Sequence, residues 1–185
     1  MGTAHRDDAS SAGVDGRLHR YWRGLGRPGK RRFLALKGGY HGDTFGAMSV
    51  SDPDTGMHSA FGGAVASQWF AEKPPVDDAE VDAALATFET LLRAKADEVA
   101  AVILEPLVQG AGGMRFYSPA YLRGVAGLCG AYDILLIADE IATGFGRAGR
   151  GFLFASERAD VKPDIMCVGK ARNGVGIRAG VERGS

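Results

Sequence analysis

Two short apolar runs, each ending in a polar residue, constrain the fold of this chain more than any other feature. Residues 134–138 lead directly into Asp139, and residues 165–168 are followed within two positions by Lys170. Wholly apolar runs of this length are typical of strands covered on both faces, as in a parallel α/β sheet. Such sheets bind ligands at the carboxyl ends of their strands, so we expect Asp139 and Lys170 to face one crevice.

An acid and a lysine in one crevice suit a cofactor that has a basic ring nitrogen and an aldehyde. Pyridoxal 5′-phosphate is such a cofactor, because a lysine binds its aldehyde as a Schiff base and a carboxylate pairs with its protonated ring nitrogen. Each residue taken alone has a simpler interpretation. Asp139 is also suited to a turn or a helix cap, and Lys170 to a solvated surface charge.

The rest of the chain alternates predicted strands and helices. We predict strands at residues 31–37, 99–104, 134–138 and 165–168, and helices at residues 44–49, 77–100 and 119–131. The helix at 77–100 has apolar residues at steps of three and four, which is the amphipathic pattern. A strand, a helix and a strand in succession form a crossover between parallel strands. Residues 1–20 have almost no apolar periodicity, so we expect them to be disordered.

Polar side chains follow three of these predicted strands. Tyr40 and His41 come after the first strand, Glu105 comes directly after the second, and Asp139 comes directly after the third. The carboxyl ends of parallel strands meet at one edge of a sheet, so a feature that recurs on several strands indicates a shared crevice. We therefore expect these four side chains to lie close together.

Composition excludes several other classes of protein. The 185 residues include 22 Lys plus Arg and 22 Asp plus Glu, so no net charge attracts the chain to nucleic acid or to a membrane surface. No apolar stretch has the length of a membrane span, and no signal peptide is visible. Cys129 and Cys167 lack metal-ligand spacing, so we expect reduced thiols, no metal site and a cytoplasmic location.

Four longer segments together resemble a known family. They are GGYHGDTFGAMSVSDPDTGMHS at 38–59, VILEPLVQGAGGMRFY at 102–117, LLIADEIATGFGRAG at 135–149 and PDIMCVGKA at 163–171. In order and spacing they are similar to the class III pyridoxal-phosphate-dependent aminotransferases, over residues 21–171. The resemblance implies an α/β fold that is part of the large domain of a fold-type I transferase, with a mostly parallel sheet and helices on both faces. Residues 1–20 and 172–185 lie outside the resemblance.

Within that class, the chain is most similar to the adenosylmethionine–8-amino-7-oxononanoate aminotransferases of biotin synthesis. Asp43, the loop at 52–59 and the QGAGGM segment at 109–114 distinguish this subfamily. The resemblance implies transfer of an amino group from S-adenosylmethionine to 8-amino-7-oxononanoate, giving 7,8-diaminononanoate, in a homodimer. Another class III omega-aminotransferase is one alternative. A non-catalytic remnant that binds the cofactor or a partner is another.

The resemblance also implies roles for individual residues toward the cofactor. Lys170 would be the catalytic residue, which binds the cofactor aldehyde and then moves a proton between substrate and cofactor. Asp139 would keep the ring nitrogen protonated, and Tyr40 would stack on the ring. Glu105 would lie near the cofactor's phenolic oxygen, although a turn-fixing role is an equal alternative.

Asp43 and Arg147, together with Tyr40, would form part of the substrate pocket, although charged loop residues are more often simply solvated. We expect His41 to have no catalytic role. Residues 1–20 contain no glycine/serine loop of the kind that binds the cofactor phosphate in the family, and residues 172–185 lack the family's carboxylate-binding arginine. We therefore expect a truncated or frame-shifted segment that binds the cofactor weakly and does not turn over alone.

Overall fold

The computed structural model describes residues 12–54, 61, 63–149 and 151–170. In these residues, twelve α-helices and β-strands follow one another: α1 (Ala12–Gly24), β1 (Arg32–Leu36), α2 (Phe45–Val50), β2 (Trp69–Ala71), α3 (Val81–Lys95), β3 (Val99–Leu104), β4 (Val108–Gln109), β5 (Arg115–Phe116), α4 (Pro119–Ala131), β6 (Leu135–Asp139), α5 (Ala155–Arg158) and β7 (Ile165–Cys167). Among these described helices, none is long and apolar enough to span a membrane.

Five of the strands form one sheet in the order β2-β1-β3-β6-β7, and every pairing in it is parallel. The unit β3-α4-β6 is the predicted crossover, because its two strands pair directly from Ala101 with Leu135 to Leu104 with Ala138. Strands β4 and β5 form a separate antiparallel pair. The carboxyl ends of β1, β3 and β6 are therefore neighbours, as the polar residues after them predicted.

Helices cover both faces of the sheet, which confirms the predicted α/β architecture. Successive strand residues point to opposite faces, and the core accordingly divides into two clusters. One packs the sheet against α3, α4 and α5 and includes Leu34, Leu36, Val102, Leu104, Leu136, Phe88, Leu92 and Val125. The other packs it against α1 and α2 and includes Phe33, Ala35, Ala101, Ile103, Ile137, Leu18, Trp22 and Val50.

Helix α1 differs from the sequence prediction. Residues 1–20 were expected to be disordered, but α1 begins at Ala12, while residues 1–11 lie outside the described part of the chain. Leu18 and Trp22, four residues apart on one side of the helix, are 2% and 0% exposed against the sheet. The Trp22 indole donates a hydrogen bond to the Ala100 carbonyl at 3.0 Å. Contacts with residues distant in sequence therefore hold a segment whose own sequence pattern is weak.

The other element boundaries differ from the predictions by less. Helix α3 is shorter than the predicted 77–100, because a 3₁₀ turn at Asp78–Glu80 precedes it and β3 already begins at Val99. Helix α2 is capped by Thr44, whose hydroxyl accepts from the Ala47 amide. The short strands β2, β4 and β5 were not predicted.

Candidate active site

The polar residues that follow the strands contact one another, as expected of a shared crevice. His41 Nδ1 lies 2.7 Å from Asp139 Oδ2, which joins the turn after β1 to the end of β6. The Tyr40 amide donates to Glu105 Oε1 at 3.0 Å, which joins the same turn to the end of β3. Three strand ends that are far apart in sequence thus form one hydrogen-bonded cluster, in which Tyr40 takes part through its backbone amide.

Asp139 is buried at the end of β6, with 3% of its surface exposed. Its Oδ1 accepts from the Ile141 amide at 3.1 Å and its Oδ2 contacts the His41 ring. An ionised carboxylate offers about four acceptor positions, so two donors leave Asp139 able to accept from a protonated ring nitrogen. A buried carboxylate with spare acceptor capacity fits the chemistry of a pyridine cofactor.

The Glu105 carboxylate binds the backbone of two loops, and the Glu105 backbone carbonyl binds the side chain of Tyr117. Its two carboxylate oxygens accept from the Tyr40 amide at 3.0 Å and the Gly110 amide at 2.9 Å, while its carbonyl accepts from the Tyr117 hydroxyl at 2.6 Å. These contacts are the ones expected if Glu105 fixes a turn, which was the alternative to a place near the cofactor's phenolic oxygen. Burial raises the pKa of the Glu105 carboxyl above its ordinary value of 4.5, although His41 and the two amides oppose that shift.

The raised pKa of Glu105 predicts a pH dependence of stability. The folded chain holds this proton more tightly than the unfolded chain, so Glu105 contributes most stability below pH 4.5. That contribution falls as pH rises through the raised value. Glu105→Gln should therefore flatten the decline in unfolding free energy above pH 4.5, measured by urea denaturation at a series of pH values. Parallel curves for the two proteins would contradict this expectation.

A cavity of about 580 Å³ opens beside this cluster. Its lining includes Lys170 and Arg147 together with Gly110, Thr143, Met114 and Phe116. Lys170 is exposed at the cavity, three residues after β7, and its backbone has φ +48°. Gly110 connects the cavity with the polar cluster, because it lines the cavity and its amide donates a hydrogen bond to Glu105. Asp139 is not among the residues that line this cavity, and its link to the cavity wall is the hydrogen-bonded series of His41, Glu105 and Gly110. That Asp139 and Lys170 face one crevice therefore stays a prediction.

Tyr40 and Asp43 form a pair of their own. The Tyr40 hydroxyl donates to Asp43 Oδ1 at 2.7 Å, and both side chains are exposed. Neither is among the residues that line the cavity. Their link to it runs through the Tyr40 amide, Glu105 and Gly110. Of the three residues expected to bind substrate, only Arg147 lies on the cavity wall.

Glu140 is a component of the site that the sequence analysis missed. Its carboxylate is fully buried and accepts from the amides of Ala155 and Ser156, at 3.0 and 2.8 Å, and from the Thr143 hydroxyl. Glu140 thereby ties the start of α5 to the loop that carries Thr143 into the cavity wall. The available signal was a second acid directly after Asp139, with a hydroxyl residue three positions later.

Two glycines bring the loops after β1 and β4 into close contact. A side chain at Gly112 would place its Cβ 2.0 Å from the Gly38 carbonyl oxygen, and Gly38 itself has φ +77°. Gly112→Ala should therefore displace one of these loops and cost about 1–3 kcal/mol, as overpacking does. Gly127→Ala in α4 is the control, because no atom lies within 4 Å of its Cβ.

The control should stabilise the chain by about 0.5–1 kcal/mol, since alanine is favoured over glycine within a helix. Urea denaturation measures both changes. If the two substitutions change the free energy of unfolding by the same amount, the close contact between Gly38 and Gly112 does not contribute to stability.

Comparison with known proteins identifies the family. The model of the family "Aminotransferase class-III" matches residues 17–182, a wider range than the expected 21–171. The chain is 54% identical to the adenosylmethionine-8-amino-7-oxononanoate aminotransferase of Mycobacterium leprae over 155 residues, which are 83% of this chain and 34% of that protein. It is 49% identical to the protein of the same name from Corynebacterium glutamicum over 152 residues, covering 82% and 36% of the two chains.

Solved structures agree with this assignment. An amine transaminase from an uncultivated Pseudomonas species, with pyridoxal phosphate bound, superimposes with a TM-score of 0.79 at 31% identity. The superposition covers 90% of this chain and 38% of that one. The chain spans about a third of the length of the curated relatives it matches. The expected fold, part of a pyridoxal-phosphate-dependent transferase, is confirmed, and the chain belongs to the class III aminotransferases, a family that uses pyridoxal 5′-phosphate.

Proposed function

We propose that this chain takes part in the transfer of an amino group from S-adenosylmethionine to 8-amino-7-oxononanoate in biotin synthesis, with pyridoxal 5′-phosphate as the cofactor. The observation that carries the proposal is the buried cluster of Asp139, His41 and Glu105 beside a cavity lined by Lys170. The names and the 54% and 49% identities of the relatives support the choice of substrates.

The proposal assigns the cofactor to four residues. Asp139 would accept a hydrogen bond from the ring nitrogen and keep it protonated, and Lys170 would bind the aldehyde carbon covalently. Tyr40 would lie against the ring face, and Glu105 would hold the Tyr40 and Gly110 loops around it. When bound, the cofactor supplies an electron sink for the carbon that carries the amino group. Lys170 would then move the proton at that carbon.

Substrate binding is assigned to Arg147, Asp43 and Tyr40. The Arg147 guanidinium on the cavity wall suits the carboxylate of either substrate, because arginine binds carboxylates through two parallel hydrogen bonds. The Asp43 carboxylate and the Tyr40 hydroxyl form a hydrogen-bonded pair that suits a cationic or amino group. Charge reversal at Arg147 should therefore weaken binding of both substrates.

We further propose that the protein is a cytoplasmic homodimer that binds neither nucleic acid nor a membrane. Its two cysteines, Cys129 and Cys167, are buried and are not joined in a disulfide, which suits a reducing compartment. Phe45 and Phe61 form an edge-to-face pair while 56% and 37% exposed, which suits a subunit interface. Sedimentation analysis of the purified chain against a Phe45→Ser variant would test the dimer.

The substrate assignment is tested in a single half-reaction. The chain is loaded with pyridoxal phosphate and mixed either with S-adenosylmethionine or with a simple primary amine, and the absorption of the bound cofactor is followed. We expect S-adenosylmethionine to convert the cofactor to its amine form and the simple amine to have little effect. The reverse preference would favour an omega-aminotransferase, and failure of both compounds to convert the bound cofactor would contradict the proposal.

The chain alone should bind the cofactor weakly and should not complete repeated turnovers, because it spans only about a third of its relatives' length. Mass spectrometry for 7,8-diaminononanoate, in the presence of both substrates, measures this directly. Accumulation of product beyond one equivalent per chain would show instead that these residues suffice for a complete cycle.

A further inference from the structure

We propose that a pocket at the amino end of β1 is a second ligand site, which binds a phosphate group. The pocket has a volume of about 220 Å³ and is formed by the second half of α1 and the turn that follows it. Its lining consists of His19, Arg23, Pro28, Lys30 and Arg31. Four of these five residues have a basic side chain, and none of the five is acidic. The proposal is independent of the aminotransferase activity.

The sequence around this pocket is far more basic than the chain as a whole. Residues 16–42 contain eight Lys or Arg residues and no Asp or Glu, although the full chain has 22 of each class. The zero net charge of the chain therefore hides a local excess of positive charge. A concave region lined by charges of one sign raises the local concentration of ligands of the opposite sign.

Folding neutralises only some of these cations. Three of them form ion pairs with acids from other parts of the chain: Arg27 with Asp133, Arg32 with Glu98, and Lys37 with Glu72. Arg23 and Arg31 are both exposed, and neither forms an ion pair with an acidic residue that the structure describes. Two guanidinium groups at one pocket are therefore left to bind an anion.

Lys30 holds the pocket in place. It is 4% exposed, and its ammonium donates to the carbonyls of Ala96, Val99 and Asp133 at 2.8, 3.2 and 3.1 Å. These bonds use all three donors of the ammonium, so Lys30 offers a ligand its charge but no hydrogen bond. They also tie the turn before β1 to the ends of α3 and α4 and to the start of β3. A pocket that is fixed before the ligand arrives avoids the cost of ordering it.

The side chains at the rim suit a phosphate in particular. Arg31 Nε donates to the Pro28 carbonyl at 2.7 Å, which leaves the two terminal nitrogens of its guanidinium as donors. Arginine binds phosphate through two parallel hydrogen bonds. His19 Nε2 lies 3.3 Å from the Arg31 carbonyl, which brings the α1 side of the pocket against the turn. Coulomb attraction to several cations grows with ligand charge, so a phosphate dianion is favoured over a carboxylate.

The pocket and the candidate active site lie at opposite edges of the sheet. Arg31 directly precedes β1, whereas Tyr40 and His41 come after the carboxyl end of that strand. Strand β1 has five residues, which corresponds to roughly 16 Å. Neither Arg23 nor Arg31 lines the cavity that contains Lys170. Phosphate in this pocket should therefore leave that cavity open to a cofactor.

Titration calorimetry with inorganic phosphate, at an ionic strength held constant with sodium chloride, measures binding to the pocket. Arg23→Ala and Arg31→Ala should each lower the affinity about tenfold or more, which is the scale of hydrogen bonds between charged groups. Arg20→Ala is the matched control, because Arg20 is exposed on the same helix but does not line the pocket. It should bind phosphate as the unaltered chain does.

Two further measurements locate the bound group and identify its source. In ¹⁵N spectra of the arginine side chains, phosphate should shift the Nε signals of Arg23 and Arg31 and leave that of Arg20 unchanged. Adenosine monophosphate, compared with adenosine and with phosphate, distinguishes a phosphate carried by a larger molecule from the free ion. Tighter binding of the monophosphate indicates the first source, and tighter binding of phosphate indicates the second.

Three results would overturn the proposal. They are the absence of phosphate binding to the unaltered chain, an unchanged affinity in Arg23→Ala and Arg31→Ala, and an equal loss in the Arg20→Ala control. An oligonucleotide that binds and is weakened equally by all three substitutions would likewise show a general polyanion surface in place of a pocket. Circular dichroism controls for loss of the fold, and Arg31→Lys, which keeps the charge without the guanidinium fork, should also bind phosphate less tightly. None of these results depends on whether Lys170 binds pyridoxal phosphate.

Discussion

Replacing Trp22 with alanine should lower the free energy of unfolding by about 3–5 kcal/mol, the usual cost of emptying a buried aromatic site. Trp22 is fully buried between α1 and the sheet, and its indole donates to the Ala100 carbonyl. Its ring also lies 4.7 Å from the Lys30 ammonium, which donates to the carbonyls of Ala96, Val99 and Asp133. Such a loss is a large part of the roughly 5–15 kcal/mol that typically separates folded from unfolded domains.

Urea denaturation followed by circular dichroism measures this change without depending on tryptophan fluorescence. Trp22→Phe is the matched control, because it keeps most of the apolar surface and loses the hydrogen bond to Ala100, for an expected cost of about 1–3 kcal/mol. A Trp22→Ala change within roughly 0.5 kcal/mol of the unaltered chain, as for surface substitutions, would mean that α1 is not part of the stable fold.

Replacing Lys170 with alanine should reduce covalently retained pyridoxal phosphate to background. Lys170 is the lysine on the wall of the cavity beside the Asp139 cluster, and only a primary amine can bind the cofactor aldehyde as a Schiff base. Lys170→Arg keeps the positive charge and should lose the covalent bond equally. The absorption of the bound cofactor, with and without borohydride reduction before dialysis, measures retention.

Lys162→Ala is the matched control for this experiment, since Lys162 is also exposed and lies eight residues earlier in the same segment. It should retain the cofactor as the unaltered chain does. Retention by Lys170→Ala at the level of Lys162→Ala would show that the cofactor reacts with surface amines in general and that the cavity lysine has no special position.

The central sheet could be predicted from sequence because its strands are short, wholly apolar and bounded by polar residues. The prediction of β3 at Val99–Leu104 and of α4 at Pro119–Ala131 matches the structure residue for residue. Three other predicted strands match to within a residue or two. Burial on both faces leaves a strong local signal in each of these segments, so little depends on distant contacts.

Elements held by distant contacts could not be predicted in this way. Helix α1 has few apolar residues, and it is held in place by Leu18 and Trp22, which pack against the face of the sheet that α1 and α2 cover. Strand β2 has three residues and is defined by its pairing with β1. The pair β4 and β5 likewise exists through its cross-strand hydrogen bonds. These three strands are too short to show a period of their own.

The same distinction applies to the site. The positions of Asp139, Glu105 and Tyr40 at strand ends could be predicted, because the edge of a parallel sheet brings them together. His41 pairs with Asp139, which is 98 residues away in sequence, and Glu140 bonds to amides of α5 that are 15 or more residues away. Both contacts depend on how the side chains are oriented in the folded chain. Only the folded chain reveals those partners.

Peptide mapping after borohydride reduction tests most directly whether this crevice is a pyridoxal-phosphate site. The chain has six lysines, and reduction fixes the cofactor on whichever of them holds it. At cofactor concentrations close to that of the chain, the adduct should be found by mass spectrometry on the peptide that contains Lys170. An adduct spread over the exposed lysines in proportion to their accessibility, or absent from that peptide, would contradict the assignment.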